Sequence, residues 1–291
     1  MTIAVTGTSG HLGRLVVESL LARGAAPADV VALARSTEKV ADLAAPDGPG
    51  VVVREADYDR PETLASALDG VEVLVLVSGS AVGQRVRQHG AVIEAAKGAG
   101  VRRVVYTSAP HADTSPLVLA PEHKATEELL AASGLTTTVL RNGWYTENYL
   151  GDVQQARETG EIARSVGDGR VASASRADYA EAAAVVALAD DGSHDDSVYE
   201  LSGDVAWDFD ELAATAGALL GRPVTYRRLT PDEHRDQLLA AGLDEGTAGF
   251  VVALDGNTRD GLLADTSGDL ARLIGRPTTP LADGLRRALG D

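Results

Sequence analysis

The first residues whose types and spacing could do chemistry are three glycines in "GTSGHLG", near the start of the chain. The stretch follows the apolar run "TIAV" and precedes a segment with apolar residues at helical spacing. In such a strand–turn–helix unit, the glycines allow a tight turn, a close backbone approach to a pyrophosphate, and packing of the helix on the strand. The helix N-terminus then offers free N–H groups and a partial positive charge to an anion. The alternative is a glycine-rich turn without a ligand. The predicted dinucleotide cradle consists of Gly7, Thr8, Ser9, Gly10, His11, Leu12 and Gly13.

The end of the second apolar run distinguishes between two dinucleotides. An Asp or Glu about 20 residues beyond the glycines usually binds a free ribose 2′-hydroxyl. This chain instead has Arg35 at that place, with Lys39 one helical turn later. Because a guanidinium suits a 2′-phosphate, we expect NADP (NADPH) rather than NAD; the alternative is a solvated surface arginine. Asp57, after the third run, is expected to meet the adenine, to cap a helix together with Asp59, or both.

The sequence lacks the Tyr-x-x-x-Lys pair of the short-chain dehydrogenases, and this absence helps to identify the substrate. Short-chain ketone reductases use Tyr-x-x-x-Lys, but none of the seven tyrosines has a lysine four residues later. Lys124 lies where that lysine would lie, with Ala120 four residues before it. Hydride transfer to a ketone gives an alkoxide that needs a proton at once, whereas transfer to a quinone gives a phenol-like anion with a pKa of about 10. The missing acid therefore favours a quinone acceptor, held at about 3–3.5 Å from the donor carbon.

These residues must be positioned by alternating strands and helices. Near-continuous Val and Leu runs indicate strands buried on both faces, and their regular alternation with helical patterns predicts a doubly wound α/β fold with a parallel sheet. The predicted strands are "TIAVTG", "DVVALAR", "VVVREAD", "VEVLVLVS", "VRRVVYTS" and "TTTVLRN". The predicted helices are "LGRLVVESLLARG", "STEKVADLAA", "PETLASALDG", "VGQRVRQHGAVIEAAKGAG" and "PEHKATEELLAASG".

The regular alternation of predicted strands and helices ends after residue 149. The helix "RADYAEAAAVVALAD" and the strand "VYELSG" are expected to pack back on the sheet, whereas "DFDELAATAGALLG", "VTYRRL" and a helical, loop-rich tail are assigned to a smaller α/β C-terminal lobe. We predict a Rossmann domain over 1–150, completed by about 174–202, and a smaller substrate-binding lobe over 151–173 and 203–291.

Composition excludes several classes of protein. The formal net charge of −17 over 291 residues makes a nucleic-acid partner a poor fit. There is no cysteine, so disulfides, thiolate nucleophiles and cysteine-bound metal are excluded, and the six histidines show no zinc-type spacing. The longest apolar stretch is too short to span a bilayer, and no basic leader precedes it. We expect a cytoplasmic protein with no metal, no membrane partner and no nucleic-acid partner; a homodimer is left open.

Several longer stretches resemble the bacterial NADPH-dependent quinone oxidoreductases, which belong to the NmrA-like atypical short-chain dehydrogenases. The stretches that carry the resemblance are "TGTSGHLG", "AVGQRVRQH", "YTSAPHADTSPL", "EHKATEELLAASG", "LRNGWYTENY", "SASRADYA", "ELSGDVAWDFDELA" and "LIGRPTTPLADGL". They run through nearly the whole chain, and the family lacks the catalytic tyrosine, as this sequence does. The family pattern does not require Lys124, which leaves a partial ketone-reductase signature.

The resemblance implies roles for residues after the fourth and sixth strands. Val77, Ser78 and Gly79 are expected to line the nicotinamide ribose, and Gln84 to reach the same region unless it is an ordinary helix-start residue. Asn142, Gly143, Trp144 and Tyr145 follow the sixth strand, where open α/β sheets bind ligands. Their aromatic rings are expected to stack on a flat quinone, or to pack a domain hinge. We place Lys124, Asn142 and Trp144 among the cofactor contacts.

Two more charged or titratable residues complete the predicted site. His111, after the fifth strand, is a candidate proton donor, with a structural role as the alternative. Arg176 is expected to neutralise a phosphate or a developing anion, or to pair with Asp178 or Glu181. The candidate catalytic residues are His111, Asn142 and Tyr145.

Three functions are compatible with these residues. The first is an enzyme that transfers a hydride from NADPH to a quinone, its small-molecule partner. The second is a non-catalytic NADP-sensing regulator of the NmrA-like kind. The third, a sugar epimerase or ketone reductase, is disfavoured by the missing Tyr-x-x-x-Lys pair.

Overall fold

Seven parallel strands form one sheet in the computed structural model, which describes residues 1–290. The strands of the chain are β1 (Ile3–Val5), β2 (Val30–Ala34), β3 (Val52–Glu55), β4 (Val73–Leu76), β5 (Arg103–Ser108), β6 (Thr136–Asn142), β7 (Glu161–Arg164), β8 (Ser197–Leu201) and β9 (Thr225–Arg228). The order in the large sheet is β3-β2-β1-β4-β5-β6-β8, so the strand order reverses between β1 and β4. The crevice at such a reversal, beyond the carboxyl ends of the strands, is where doubly wound folds bind their ligands.

Twelve α-helices connect or follow these strands within residues 1–290. They are α1 (His11–Ala22), α2 (Ala41–Ala44), α3 (Pro61–Ala67), α4 (Arg85–Ala99), α5 (Ala120–Ser133), α6 (Leu150–Thr159), α7 (Arg176–Leu188), α8 (Phe209–Leu220), α9 (Pro231–Ala240), α10 (Glu245–Arg259), α11 (Asp269–Ile274) and α12 (Leu281–Leu289).

The core lies on both faces of the large sheet, because alternate residues of each strand point to opposite faces. Val5, on one face, belongs to a cluster with side chains of α1, α7 and α11. Its neighbour Ala4, on the other face, belongs to a cluster with side chains of α3 and α4. This explains the near-continuous apolar runs of the sequence, and it confirms the predicted doubly wound α/β fold.

A third cluster forms the core of a smaller group of elements. It includes residues of α6, β7, α8 and α12 and an aromatic group in which Tyr149 packs edge-on against Trp207, with ring centroids 4.8 Å apart. In this group β7 pairs with β9 in a two-stranded parallel sheet. The predicted helix and strand at "DFDELAATAGALLG" and "VTYRRL" correspond to α8 and β9.

Helix α11 lies away from this smaller cluster. Its residues Leu270 and Ile274 are buried in the core on the α1–α7 face of the large sheet. The fully buried Asp178 of α7 holds the next segment, accepting hydrogen bonds from Arg276 Nη2 at 2.7 Å and from the backbone N–H of Thr279 at 2.9 Å. The domain bounds stay a prediction, and the segment 269–279 packs on the large sheet rather than with the rest of 203–291.

Two features are absent from the described residues. No helix within 1–290 is long and apolar enough to cross a membrane. No group of three or more His, Asp or Glu side chains in this part of the chain is arranged to hold a metal ion.

Candidate active site

The glycine run forms the turn between β1 and α1, at the point where the strand order reverses. Gly7 has a φ of +63°, a conformation that favours glycine. A Cβ on Gly13 would lie 2.5 Å from the carbonyl oxygen of Gly7, so only glycine allows the helix this close to the turn. Gly10, whose N–H donates to Gly7 O at 2.9 Å, precedes the helix without a side-chain cap. The first N–H groups of α1 have no partner one turn earlier in the helix and are available to an anion.

The other residues of the run divide into two groups. Ser9 and His11 are exposed beside the turn. Thr8 is fully buried, and its hydroxyl donates to Leu33 O at 2.9 Å, which ties the turn to β2. Leu12 belongs to the core cluster on the α1–α7 face. The side chains of Thr8 and Leu12 therefore hold the cradle in place, and the N–H of Thr8 also donates to Leu33 O, at 3.2 Å.

A free cation lies at the end of β2. Arg35 is exposed and makes no ion pair with any residue of 1–290, and the exposed Lys39 follows it. The neighbouring Arg14 is occupied, because it makes two hydrogen bonds to the carboxylate of Asp42, at 2.7 and 3.1 Å. Arg35 and Lys39 are therefore the unpaired positive charges beside the glycine turn, as binding of a 2′-phosphate would require.

Asp57 lies after β3, partly buried, and its Oδ1 accepts the N–H of Asp59 at 3.0 Å. The contact shapes the loop, but the residue before α3 is Arg60, so Asp57 does not cap that helix. Its predicted contact with an adenine stays a prediction.

The backbone after β4 is held by side chains of neighbouring elements, which accept hydrogen bonds from its N–H groups. The N–H of Val77 donates to Thr6 Oγ1 and that of Ser78 to Thr107 Oγ1, both at 2.9 Å. Gly79 follows, and its N–H donates to His89 Nε2 at 3.1 Å. Gln84 is further along, exposed at the start of α4, and its Oε1 accepts from Arg87 at 3.0 Å. These contacts are those of an ordinary helix-start residue.

The end of β6 carries an unsatisfied polar atom. Asn142 is 5% exposed, and its Oδ1 has no hydrogen-bond partner. Its Nδ2 lies 3.5 Å from the hydroxyl of Tyr145. Buried amide oxygens are nearly always paired, so an unpaired one at the carboxyl edge of the sheet indicates a place for a ligand donor. A dinucleotide fits these features: a cradle closed to any Cβ at Gly13, an unpaired Arg35 and an open acceptor on Asn142.

The ring of Tyr145 lies next to the Asn142 side chain. This ring packs edge-on against Tyr179, with centroids 5.3 Å apart, and the Arg176 guanidinium lies 5.0 Å from the ring centroid. Burial raises the pKa of Tyr145 above its ordinary value of 10, so its hydroxyl is neutral at physiological pH. Arg176 also donates to Asn148 Oδ1 at 2.9 Å and lies 3.9 Å from Glu147.

The predicted pairing of Arg176 with Asp178 or Glu181 is wrong. Both carboxylates are bound by Arg276, at the other side of α7, because Arg176 is the first residue of the helix and its side chain extends toward 147–148.

The remaining predicted residues lie around the ends of β5 and β6. Lys124 is exposed on α5, and its Nζ donates to the carbonyl oxygen of Asp113 at 3.1 Å. Trp144 is partly buried against the smaller lobe's core. His111 has a φ of +47°, and its ring lies between Glu200, 3.3 Å from Nδ1, and Asp265, 3.0 Å from Nε2. His111 and Trp144 line a small pocket together with Gly143 and residues of 200–202 and 262–267.

Sequence reasoning missed the side chain that joins these strand ends. Arg141, one residue before Asn142, is 7% exposed and binds Glu127 of α5, Glu200 of β8 and Asp113, at 2.6 to 2.9 Å. Three carboxylates around one arginine fix α5, β8 and the loop after β5 relative to β6. The signal in the sequence was an arginine near the end of a strand predicted to be buried, where a charge is costly unless it is paired.

Comparisons with known proteins agree with this geometry. Residues 7–191 match the sequence profile of the NAD(P)H-binding family. The chain is 48% identical over 283 residues to quinone oxidoreductase 2 of Escherichia coli, covering 97% of each chain. The crystal structure of the Escherichia coli NADPH-dependent quinone oxidoreductase complexed with NADPH superposes with a TM-score of 0.92 at 46% identity, covering 99% of this chain and 100% of that one.

A fungal relative places the chain more narrowly. An NmrA-like family domain-containing oxidoreductase of Aspergillus flavus is 31% identical over 300 residues, which covers 99% of this chain and 95% of the relative. The chain therefore belongs to the NAD(P)H-binding family and, within it, to the NmrA-like oxidoreductases.

Proposed function

We propose that the protein is an NADPH-dependent oxidoreductase that reduces quinones to hydroquinones by two electrons. The observation that carries the proposal is the similarity, over 97% of both chains, to a protein named quinone oxidoreductase 2. It is supported by a structural relative solved with NADPH and by the unpaired Arg35 beside the glycine turn.

The chain's own residues would bind and orient the cofactor. The first turn of α1 would hold the pyrophosphate, and Arg35 with Lys39 the 2′-phosphate. The open Asn142 Oδ1 would accept a hydrogen bond from a ligand donor near the nicotinamide. When bound, NADPH supplies the hydride.

The same residues account for a reaction without a dedicated acid. Tyr145 is neutral and has no lysine partner, and its ring would form a flat wall against the acceptor. A hydroquinone anion is stable enough to leave or to take a proton from water, because its pKa is about 10. His111, after β5, is the candidate donor, but its ring is held between two carboxylates. Positioning is therefore the main catalytic device, and a proton from His111 is dispensable.

The test is NADPH oxidation, followed by absorbance, with a panel of soluble quinones, aldehydes and ketones and with NADH in parallel. Quinone-dependent oxidation with a preference for NADPH is expected. A protein that binds NADPH but oxidises it no faster with any acceptor would be a regulator rather than an enzyme. Faster turnover of aldehydes or ketones than of quinones would refute the substrate class.

We also propose a homodimer in the cytoplasm. Light scattering on the purified protein tests the first expectation, and a mass of one chain would contradict it. Cell fractionation tests the second.

A further inference from the structure

The backbone segment 77–79, between β4 and α4, is held by an unusual set of acceptors. Each of its three successive N–H groups donates to a side chain: to Thr6 Oγ1, to Thr107 Oγ1 and, at 3.1 Å, to His89 Nε2. Beyond the end of β4 the N–H groups of this segment make no hydrogen bonds to a neighbouring strand, and the three side chains accept them instead. The first acceptor is the hydroxyl of Thr6, directly after β1, and the second is that of Thr107 on β5; β1 and β5 are the strands on either side of β4. The third is a histidine from the second turn of α4.

The contacts of His89 fix where its proton is. The ring is fully buried, and since the Gly79 N–H can only donate, Nε2 must carry no hydrogen. Nδ1 lies 3.0 Å from Thr126 Oγ1, and that hydroxyl in turn donates to the Glu122 carbonyl oxygen at 2.9 Å. The hydrogen bonds in this series run in one direction, from His89 Nδ1 to the Thr126 hydroxyl and from that hydroxyl to the Glu122 carbonyl oxygen. His89 is therefore neutral, with its hydrogen on Nδ1.

The carbonyl group of Gly79 is held as well. Arg85 Nε donates to it at 2.6 Å, and Arg85 Nη1 binds Glu122 at 2.9 Å. The other oxygen of the Glu122 carboxylate accepts the N–H of Gly83 at 2.9 Å. The N–H and the carbonyl oxygen of Gly79 are thus bound by His89 and Arg85, two buried side chains of α4. Each of these two side chains also contacts a residue of α5.

We propose that His89 is a positioning residue for the cofactor: as the neutral Nδ1–H tautomer it holds the Gly79 N–H, with Arg85 on the Gly79 carbonyl, and so fixes the 77–79 backbone, where the nicotinamide ribose is expected to bind. The inference rests on the proposed function, because a bound dinucleotide gives the segment its task. His89 touches neither cofactor nor substrate and acts through Gly79.

The experiment compares two substitutions at His89 with the same two at a distant histidine. His89→Leu removes the acceptor, whereas His89→Gln keeps an oxygen within reach of the Gly79 N–H. We expect the NADPH Kd, measured by fluorescence titration, to rise about tenfold in His89→Leu and to stay within about threefold of wild type in His89→Gln. His194, which binds Tyr199 outside the site, is the control; His194→Leu and His194→Gln should leave the Kd unchanged.

Two measurements on the protein without cofactor test the clamp itself. Nitrogen-15 NMR should show the His89 ring hydrogen on Nδ1, and the Gly79 amide should be protected from hydrogen exchange in wild type and in His89→Gln but not in His89→Leu. A hydrogen on Nε2, an unprotected Gly79 amide in wild type, or equal Kd values for His89→Leu and wild type would each overturn the proposal. If His89→Leu does not fold, Thr126→Val takes its place: it removes the partner of His89 Nδ1, so the Gly79 amide should lose protection and the NADPH Kd should rise. An unchanged Gly79 amide and an unchanged Kd in Thr126→Val would count against the proposal.

The failure of the proposed function would look different. A wild-type protein that does not bind NADPH refutes that function, whereas the tautomer and the Gly79 amide still report on the clamp.

Discussion

Two buried histidines, His89 on α4 and His123 on α5, should make the folded protein less stable in mild acid. His89 is fully buried, and His123 of α5 is 5% exposed with its Nδ1 2.9 Å from the Tyr106 hydroxyl. Burial, followed by the charge of Arg85, lowers the pKa of His89 from 6.5 to about 4 and that of His123 from 6.5 to about 3. In the unfolded chain both rings take up a proton near pH 6.5, but in the folded chain they do not until the pH is much lower.

The sign and size of the effect follow from this difference. Between pH 6.5 and about 4 the unfolded state binds more protons, so the free energy of unfolding decreases as the pH falls. Each histidine contributes about 1.4 kcal/mol per pH unit in this window. At pH 5 that amounts to about 2 kcal/mol for each and about 4 kcal/mol for the pair, a large part of the 5–15 kcal/mol that is typical of a folded domain.

Urea unfolding at half-unit steps from pH 7.5 to 5.0 measures this loss. We expect the free energy of unfolding to fall steeply below pH 6.5 in wild type. His89→Gln and His123→Gln should each reduce the difference between pH 7.5 and pH 5.0 by about 2 kcal/mol, since each removes one titrating group. A wild-type stability that is flat over this range, or variants that keep the wild-type slope, would refute the reasoning.

Three other substitutions test the site. Arg35→Ala should raise the NADPH Kd about 10- to 100-fold, the equivalent of one charged hydrogen bond, and leave the NADH Kd nearly unchanged; equal losses for both would remove Arg35 from the 2′-phosphate site. Gly13→Ala should lower the free energy of unfolding by about 1–3 kcal/mol in thermal or urea unfolding, because its Cβ would lie 2.5 Å from Gly7 O, whereas Gly98→Ala, on an open face of α4, should not destabilise the protein. Tyr145→Ala should raise the quinone KM while the NADPH Kd stays nearly constant, and an unaltered KM would exclude Tyr145 from the acceptor pocket.

The parts of the fold with a strong local signal could be predicted from the sequence. Buried parallel strands are apolar on both faces, so the runs that became β1 to β6 and β8 stood out, and the glycine run marked the turn after β1. Strand β7 was missed, because "EIAR" is short and has three residues that are not fully buried. No periodic pattern distinguishes such a strand from a loop.

The site could be predicted only where backbone geometry dictates residue type. Gly7 and Gly13 are required by a positive φ and a close approach, both of which follow from the motif. Thr8 was expected at the ligand, but its hydroxyl bonds to Leu33, and the partners of Arg176 and Arg141 come from distant elements. Side-chain pairing across the fold depends on where each element ends in space, which one sequence does not encode in any local pattern.

The packing of residues 269–279 on the large sheet has a consequence for biosynthesis. Leu270 and Ile274 complete a core that begins at Ile3, and the buried Asp178, which accepts a hydrogen bond from Ser175, gains Arg276 and Thr279 as further partners. A growing polypeptide therefore leaves part of the α1–α7 face of its main sheet uncovered until residues 269–279 have left the ribosome. Loss of residues 269–279 would expose apolar side chains of that face to solvent and would leave the buried Asp178 without two of its partners.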